Sequence, residues 1–503
     1  MLNGTILQCF HSCLPAESGS GLAAKASSQL SFWQQLAQSA TELANVGFSA
    51  LWLPPMTKGS DGAEDSGYSA YDLYDLGEFD QCGSVATKYG DRAQLLSAIA
   101  AIQSAGLQVY GDVVLHRKHG GDGLEKLEVT PVSWREPSRA TGPAQEILAR
   151  SRFDFPNRTL RYSDMTWRGE HFQRVNHNYL ASDKEAASLY RIKLKAFSSD
   201  VDVRLGKQAQ ASSPVCELDL DMSEVAQALN DWGQWLLETT RIDGLRIDGV
   251  KYVPANYVRE WIQQLRAEVK RTPQLFVMGD CWSDQVNDLH WYIAKSGGEL
   301  SLFDVPLHYN FHYASRQGGY YDLRTIFKGT LVQEQPALAV TFVENHDSQP
   351  FQLLESPVDA WFKPLAYALI LLRQEGYPCV FAGDYYGANC TSGQREVRLP
   401  AYRWLLDRLL FARSHCAYGD QYDYFEQASS IGWTRLGDSS HPQAMAVVMS
   451  NADDTQQWME VGKPSTQFTD ITQHLNEPVW TNSDGWGQFG CRGSSVSVWV
   501  EVG

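Results

Sequence analysis

An arginine and an aspartate, Arg246 and Asp248, stand two residues apart in a short apolar run. If this run is a β-strand, both side chains point to the same face. A guanidinium group beside a carboxyl group lowers the carboxyl pKa and keeps it ionised, as a nucleophile requires. The spacing therefore indicates that Asp248 is a nucleophilic carboxylate held by a cation, although a structural ion pair at a strand end would show the same spacing.

Other short apolar runs also end in polar side chains. One of these runs contains Asp112, a second ends at Asp280, and a third is followed by His346 and Asp347. In a barrel of parallel strands, polar residues at the carboxyl ends of the strands form the usual catalytic set. A second carboxyl group from another strand can protonate a leaving group. Two such carboxyl groups are the smallest catalytic set for glycoside hydrolysis with retention of configuration.

The elements that must position these side chains are apolar runs of strand length, separated by longer helical patterns. The runs are apolar throughout rather than alternating, which is typical of parallel strands buried on both faces. Eight such runs with helices between them predict an α/β fold, a (β/α)8 TIM barrel. The runs are Gly4–Phe10, Ala50–Pro54, Val109–Leu115, Leu245–Val250, Leu275–Met278, Leu302–Val305, Ala339–Val343 and Cys379–Ala382.

The regular spacing of the runs is interrupted once and changes near the carboxyl terminus. About 130 residues without a strand–helix rhythm separate Leu115 from Leu245, which predicts a domain inserted after the third strand. After about Tyr418, short strands with turn signals predict an antiparallel β domain. The predicted division is a barrel of residues 1–117 and 222–417, an inserted domain of residues 118–221 and a C-terminal β-sandwich of residues 418–503.

Charge and cysteine content indicate which partners and which cellular compartment to expect. The 503 residues carry a net charge of −17, which disfavours binding to nucleic acid or to anionic membranes. The nine cysteines are an odd number, and no zinc-type spacing is present. The amino terminus lacks the basic and long apolar segments of a signal peptide. We therefore expect reduced thiols, a cytoplasmic location and no metal site built from cysteine.

Six stretches of the sequence together resemble the α-amylase family of glycoside hydrolases, and in particular the bacterial liquefying and cytoplasmic α-amylases. The resemblance extends from the first strand to Ser495–Val498 and is weakest in the inserted domain. The stretches are Gly67–Phe79, Arg246–Lys251, Phe303–Tyr309, Glu344–Asp347, Trp361–Tyr367 and Gly432–Arg435.

The resemblance implies a role for each matching position. Asp248 is expected to be the nucleophile with Arg246 as its orienting cation, and Asp280 stands at the position of the general acid. Asp347 and His346 are expected to bind and distort the sugar at the cleaved bond. The remaining substrate-binding positions are Tyr71, which would stack on that sugar, Lys251 and Trp282 on the leaving-group side, and Arg117; Asp112 would brace the barrel end.

Three positions depart from the family pattern. The general acid is Glu in the family and Asp280 here, and a misplacement near 1 Å costs about 10²-fold in rate. The third-strand motif normally ends in Asn and His, of which the Asn binds calcium and the His touches substrate; here the pair is His116 and Arg117. Tyr252 follows Lys251 where the family has His. These changes put the efficiency of the acid and the calcium site in doubt.

We expect no calcium between the barrel and the inserted domain. Calcium needs six to eight oxygen ligands. His116 and Arg117 replace the Asn–His pair, and Ala211 stands near a position where the family has a carboxylate. Ion pairs of Arg117 or Lys118 with Glu217 or Asp219 are expected to hold the insertion instead, and weak calcium binding near these two acids stays open.

The sequence as a whole predicts a monomeric α-amylase without a cofactor. It would cleave internal α-1,4-glucosidic bonds of starch- or glycogen-type glucans with retention, and its partner is the glucan. Two alternatives stay open. The first is a transglycosylase that uses the same site, and the second is a catalytically impaired glucan-binding protein, for which the substitutions at Asp280 and Arg117 argue.

Overall fold

The computed structural model describes residues 3–15, 30–181, 187–192, 214–270 and 274–502. Eight parallel strands close into a barrel in which each strand pairs with its sequence neighbours and the last pairs with the first. The predicted TIM barrel is therefore confirmed, with one strand in each predicted run. The strands are β1 (Ile6–Gln8), β2 (Ala50–Leu53), β3 (Gln108–Val113), β4 (Gly244–Ile247), β5 (Phe276–Gly279), β6 (Ser301–Phe303), β7 (Ala339–Phe342) and β8 (Tyr377–Phe381).

The register between β3, β4 and β5 brings the polar strand ends to one height. Arg246 on β4 lies directly beside Asp112 on β3, and Ile247 on β4 lies beside Gly279 on β5. Asp248 and Asp280 each follow immediately after these paired positions, so the two carboxyl groups leave neighbouring strands at the same end of the barrel.

The described residues contain ten α-helices, most of which lie between successive barrel strands. The first begins with a capping box formed by Ser31 and Gln34, and it ends at Gly47, whose φ of 116° suits a residue without a Cβ. None of the described helices has the length and apolar composition to cross a membrane. The helices are α1 (Phe32–Val46), α2 (Arg92–Ser104), α3 (Ser223–Thr240), α4 (Ala255–Val269), α5 (Val286–Lys295), α6 (Val305–Gln317), α7 (Leu331–Glu334), α8 (Lys363–Leu372), α9 (Ala382–Tyr386) and α10 (Arg403–His415).

The chain between β3 and α3 forms a separate six-stranded antiparallel sheet. This is the predicted insertion after the third strand. Its short strand Arg117–His119 follows closely on β3 and pairs with Val215–Leu218, which leads back to the barrel. In spatial order the strands are Arg117–His119, Val215–Leu218, Phe172–His177, Ala187–Ile192, Gly123–Pro131 and Gln145–Arg152.

The C-terminal region is an antiparallel β domain, as predicted. A six-stranded sheet packs with a two-stranded sheet around a shared apolar core that includes Met459, Phe468, Phe489 and Trp499. The larger sheet has the order Gln421–Gln427, Ser430–Arg435, Met445–Ser450, Ser495–Glu501, Gln467–Asp470 and Val479–Trp480, and the smaller one pairs Thr455–Glu460 with Trp486–Cys491.

Short strands complete the loops around the barrel. Leu14–Pro15 joins the hairpin formed by Ala388–Ser392 and Arg395–Leu399, and Lys58–Gly59 pairs with Ala70–Asp72.

A disulfide joins the loop after β1 to this hairpin. Cys13 and Cys390 are bonded although 377 residues separate them, and the other seven cysteines are free. The expectation that all thiols are reduced is therefore wrong for this pair. The odd number of cysteines excluded complete pairing but said nothing about one bond between distant loops.

Candidate active site

Arg246 is the centre of the polar cluster at the carboxyl end of the barrel. Its side chain is fully buried and contacts three carboxyl groups. Nη1 donates to Asp112 Oδ1 at 2.9 Å and to Asp248 Oδ1 at 2.9 Å. Nη2 donates to Asp280 Oδ2 at 2.7 Å. One planar guanidinium group therefore orients the acids that end or follow three adjacent strands.

Asp112 faces inward and is saturated by donors. Besides Arg246, it accepts hydrogen bonds from Trp52 Nε1 at 3.1 Å and from the Tyr68 hydroxyl at 2.7 Å. Burial raises its pKa to about 7, and Arg246 acts in the opposite direction. Because these donors engage its oxygens, Asp112 braces Arg246 and is poorly placed to act on a ligand.

Asp248 and Asp280 share Arg246, yet their pKa values move apart. Burial raises the pKa of Asp248, but Arg246, Arg117 and the neighbouring imidazoles together outweigh burial, and the net pKa lies below its ordinary value. Burial also raises the pKa of Asp280, Asp248 and Asp347 add to the rise, and Arg246 does not cancel it. A pair with divided pKa values is what a nucleophile and a general acid need.

Arg117 reaches the cluster of carboxyl groups around Arg246. Its Nη2 lies 3.4 Å from Asp248 Oδ2, and its side chain is about one-third exposed. Asp248 therefore has a cation on each carboxyl oxygen, Arg246 on one and Arg117 on the other. Placing a second positive charge beside Asp248 further favours its ionised form.

His346 and Asp347 follow β7 and lie beside the same cluster. His346 Nδ1 is 2.8 Å from the side-chain nitrogen of Gln8 on β1, and the Tyr68 ring stacks on the imidazole with 5.1 Å between centroids. Burial lowers the pKa of His346 to about 3, so the ring is neutral at working pH. Burial, together with the charge of Asp248, raises the pKa of Asp347 to about 6.

Lys251 and Trp282 lie side by side next to Asp280. Lys251 Nζ donates to the backbone carbonyl of Trp282 at 3.4 Å. The indole of Trp282 donates to the Tyr309 hydroxyl at 3.2 Å. The structure therefore brings together the two residues that the sequence placed on the leaving-group side.

Tyr71 lies where the barrel meets the inserted domain. Its hydroxyl donates to Asp122 Oδ1 at 2.6 Å, and its ring packs edge-on against Phe155. Asp122 also accepts from the backbone N–H groups of Asp154 and Phe155. The inserted domain therefore fixes the orientation of Tyr71, which is buried against it.

Sequence reasoning missed three residues that orient the site. Tyr68 lies inside a stretch that carries the resemblance, so its position was a usable signal, but its role was not assigned. Gln8 and Asp122 had no such signal, because each acts through a partner that is distant along the chain or in another domain. These residues hold His346, Asp112 and Tyr71 in place.

Arginine side chains lie among the described residues at the junction of the barrel and the inserted domain, where we expected no calcium. The carboxylate of Glu217 accepts a hydrogen bond from Arg174 Nε at 2.6 Å, and Arg117 contributes positive charge to the same strand pair. Within the described residues, no three or more His, Cys, Asp or Glu side chains form a group suited to a metal. Ala211 lies outside the described residues. The loss of the family's calcium site therefore stays a prediction.

The contacts expected to replace calcium are not those that the structure describes. Arg117 points to Asp248, and Lys118 donates to the Tyr71 carbonyl at 3.1 Å. The described partner of Glu217 is Arg174, on the neighbouring strand of the inserted sheet. The sequence pairing was wrong because Arg117 lies beside Glu217 in register but its long side chain reaches the carboxylate of Asp248.

Comparison with known proteins agrees with this geometry. The model of the α-amylase catalytic domain family matches residues 208–403. An α-amylase of Geobacillus stearothermophilus is 42% identical over 99% of this chain and 87% of its own length. A cytoplasmic α-amylase of Escherichia coli is 38% identical over 99% of both chains.

The fold also matches solved structures. The crystal structure of an α-amylase from Geobacillus thermoleovorans complexed with acarbose covers 100% of this chain, with 98% of its own chain matched, a TM-score of 0.64 and 15% identity. That likeness supports the fold, while the whole-length identities to curated relatives establish the family. This chain therefore belongs to the α-amylase family of glycoside hydrolases.

Proposed function

We propose that the protein is an α-amylase that hydrolyses internal α-1,4-glucosidic bonds of starch- or glycogen-type glucans and maltooligosaccharides, with retention of configuration. The observation that carries the proposal is the pair of carboxyl groups held by Arg246 with pKa values moved in opposite directions. Both bind neighbouring nitrogens of one guanidinium group, which keeps them close, and retaining glycosidases need closely spaced carboxyl groups.

The proposed reaction has two steps. Asp248 attacks the anomeric carbon while Asp280 gives its proton to the glycosidic oxygen, so the bond to the leaving sugar breaks and a glycosyl ester forms. Asp280, now ionised, takes a proton from water, whose oxygen attacks the same carbon and releases Asp248. Because Asp280 Oδ2 accepts from Arg246, the transferred proton belongs on Oδ1.

The surrounding residues bind the glucan. Asp347 and the neutral imidazole of His346 contact hydroxyl groups of the sugar at the cleaved bond. Tyr71 is only 2% exposed and its ring packs on Phe155, so it shapes the junction with the inserted domain instead of stacking on that sugar. Lys251 and Trp282 receive the leaving sugar. Arg117 stabilises the ionised nucleophile and lines the substrate side of Asp248.

One observation favours the second candidate, a catalytically impaired glucan-binding protein. The short side chain of Asp280 is tied to Arg246 at 2.7 Å, and an ion pair favours the ionised state that cannot donate a proton. Burial and two neighbouring acids oppose that preference, and their net effect raises the pKa. The intact nucleophile, its cation and Asp347 support the active enzyme.

A hydrolysis assay tests the proposed function. Reducing sugar released from soluble starch, followed by NMR of the freshly formed anomer, should show cleavage with the α-anomer formed first. Absence of product, with retained binding to starch, would support the impaired binding protein. Formation of longer oligosaccharides at high maltooligosaccharide concentration would identify a transglycosylase.

We propose further that the enzyme works without calcium. Support comes from the Arg174–Glu217 ion pair and from Arg117, which place positive charge at the junction of barrel and insertion. Dialysis against a chelator should leave both the activity and the melting temperature unchanged. A large fall in melting temperature that added calcium reverses would contradict this proposal.

The compartment and the assembly state are proposals as well. A cytoplasmic location agrees with the name of the Escherichia coli relative, whereas the monomeric state rests on the sequence expectation alone. The Cys13–Cys390 disulfide argues the other way, because disulfides persist mainly in oxidising compartments. Counting free thiols in protein trapped inside its native cells decides the compartment: nine reduced cysteines fit the cytoplasm and seven fit an oxidising compartment.

A further inference from the structure

Three aromatic side chains form a continuous series from the catalytic end of β5 onto helix α6. Trp282 comes two residues after Asp280 and donates to the Tyr309 hydroxyl at 3.2 Å. The Tyr309 ring stacks on that of Tyr313, with 6.1 Å between centroids and 28° between ring planes. We call Trp282, Tyr309 and Tyr313 the aromatic track.

The aromatic track becomes more accessible with distance from the catalytic carboxyl groups. Trp282 is buried, Tyr309 is half-buried and 47% of Tyr313 is exposed. Tyr309 and Tyr313 are four residues apart on α6, so they lie one turn apart on the same face. The track therefore starts beside the general acid and opens to solvent along the side of the barrel.

Tyr313, at the outer end of the track, is supported by the side chain of its neighbour His312. His312 Nδ1 lies 2.7 Å from the carbonyl oxygen of Pro357, which anchors the imidazole. The His312 ring contacts the Tyr313 ring at 5.5 Å between centroids, at 67° between ring planes. A tyrosine supported by a neighbouring ring loses little side-chain freedom when a ligand binds, which favours binding.

The chemistry of the track suits a neutral sugar chain. Tyrosine and tryptophan present a flat apolar ring and a polar group at its edge. A pyranose presents apolar C–H faces and hydroxyl groups at its edge, so rings can stack while hydroxyls bond to hydroxyls. Lys251 contacts the backbone of Trp282, so the inner end of the track coincides with the proposed leaving-group side.

We propose that Tyr309 and Tyr313 bind the glucan beyond the first leaving-group sugar, and that this contact makes long leaving groups better substrates than short ones. This inference rests on the proposed function. Binding energy from substrate parts remote from the reacting bond lowers the barrier to reaction, so a chain that reaches the track gains in turnover as well as affinity. A leaving group too short to reach Tyr309 gains nothing.

Two substrates and three variants test the proposal. The first substrate is maltooctaose, and the second is a 4-nitrophenyl maltooligosaccharide cleaved at its aryl bond, whose leaving group is a single aromatic ring. Tyr313→Ala should lower kcat/KM on maltooctaose about 3- to 10-fold and change that on the aryl glycoside less than about twofold. Tyr313→Phe, which keeps the ring, should retain most of the activity. The matched control is Tyr320→Ala, which removes a 97% exposed tyrosine just beyond the end of α6.

Each outcome decides the matter. If Tyr313→Ala has the same kcat/KM on maltooctaose as Tyr320→Ala, the track does not bind the leaving chain. The same conclusion follows if Tyr313→Ala lowers kcat/KM equally on both substrates. If maltooctaose is cleaved at the same bonds by Tyr313→Ala and by wild type, the track does not set chain preference. Wild-type protein that cleaves neither substrate would overturn the proposed function, and this inference with it.

Discussion

Two buried clusters of acids, each around one cation, lie in this barrel, and only one of the two is open to a ligand. Arg246 joins Asp112, Asp248 and Asp280, while Lys363 ion-pairs with Glu344 and Asp384. The side chains of Asp248 and Asp280 are 12% and 11% exposed, whereas those of Glu344 and Asp384 are fully buried.

The difference separates charge that a ligand can reach from charge that is enclosed by the protein. Asp248 and Asp280 each remain partly exposed, and their pKa values move in opposite directions. Asp384 is closed off by Lys363 and by the Tyr367 hydroxyl, which donates to it at 2.7 Å. Glu344 and Asp347 stand three residues apart in one stretch of sequence. Glu344 belongs to the closed cluster around Lys363, whereas Asp347 lies at the open cluster around Arg246.

The largest effect in the open cluster should come from Asp248→Asn. The amide still accepts a hydrogen bond from Arg246 but cannot form the glycosyl ester, so kcat should fall by roughly 10⁴-fold or more while the melting temperature stays close to that of wild type. Steady-state kinetics on soluble starch and a thermal melt measure both. Retention of more than about a tenth of the activity would remove Asp248 from the role of nucleophile.

Asp280→Asn should cause the next largest loss, and its size should depend on the leaving group. Loss of a general acid costs about 10²- to 10⁴-fold on a glucan, but little on an activated aryl glycoside that needs no protonation. Equal losses on the two substrates would assign Asp280 to binding. Asp280→Glu is the matched variant. It retains a proton donor, so it should keep the activity on poor leaving groups that Asp280→Asn loses.

The closed cluster should respond in the opposite way. Lys363→Met leaves Glu344 and Asp384 buried without their cation, which should lower the free energy of unfolding by about 3–5 kcal/mol. Because the cluster does not touch substrate, KM and the turnover per folded molecule should stay at wild-type values. A large loss of turnover in protein that is fully folded by circular dichroism would show that the two clusters are not functionally separate.

A smaller effect should appear in the pH profile. As pH falls through about 6, Asp347 takes up a proton and can no longer accept two hydrogen bonds from sugar hydroxyls. Activity should therefore decline below about pH 6, while Asp248, with its lowered pKa, stays ionised to lower pH. Asp347→Asn should lower activity and abolish this limb; a profile unchanged in shape would assign the limb to another group.

The sequence predicted the open cluster better than the connections that hold it. Strand ends follow a local rule, because apolar runs mark the strands and the next polar residue lies at the barrel end, so Arg246, Asp248 and Asp280 could be predicted. The packing of Gln8 on His346 joins residues 338 positions apart, and no local pattern encodes it.

Long side chains and loops account for the remaining errors. Arg117 was expected to pair within the inserted sheet. Its long, flexible side chain can reach several acids, and it contacts Asp248 rather than Glu217, its neighbour on the paired strand. The Cys13–Cys390 bond joins two segments that are 377 residues apart in the sequence and adjacent only in the fold. Both contacts depend on distances in the folded protein, which the spacing of residues along the chain does not reveal.

The most direct test of the central claim is to trap the glycosyl ester. A slowly hydrolysed fluorinated maltosyl fluoride, incubated with the enzyme and followed by peptide mass spectrometry, should label one carboxyl group by one glycosyl unit. The account predicts that the label lies on Asp248, that maltooligosaccharide protects against it, and that Asp248→Asn abolishes it. A label on Asp280 or Asp347, or hydrolysis with inversion and no label, would contradict the account.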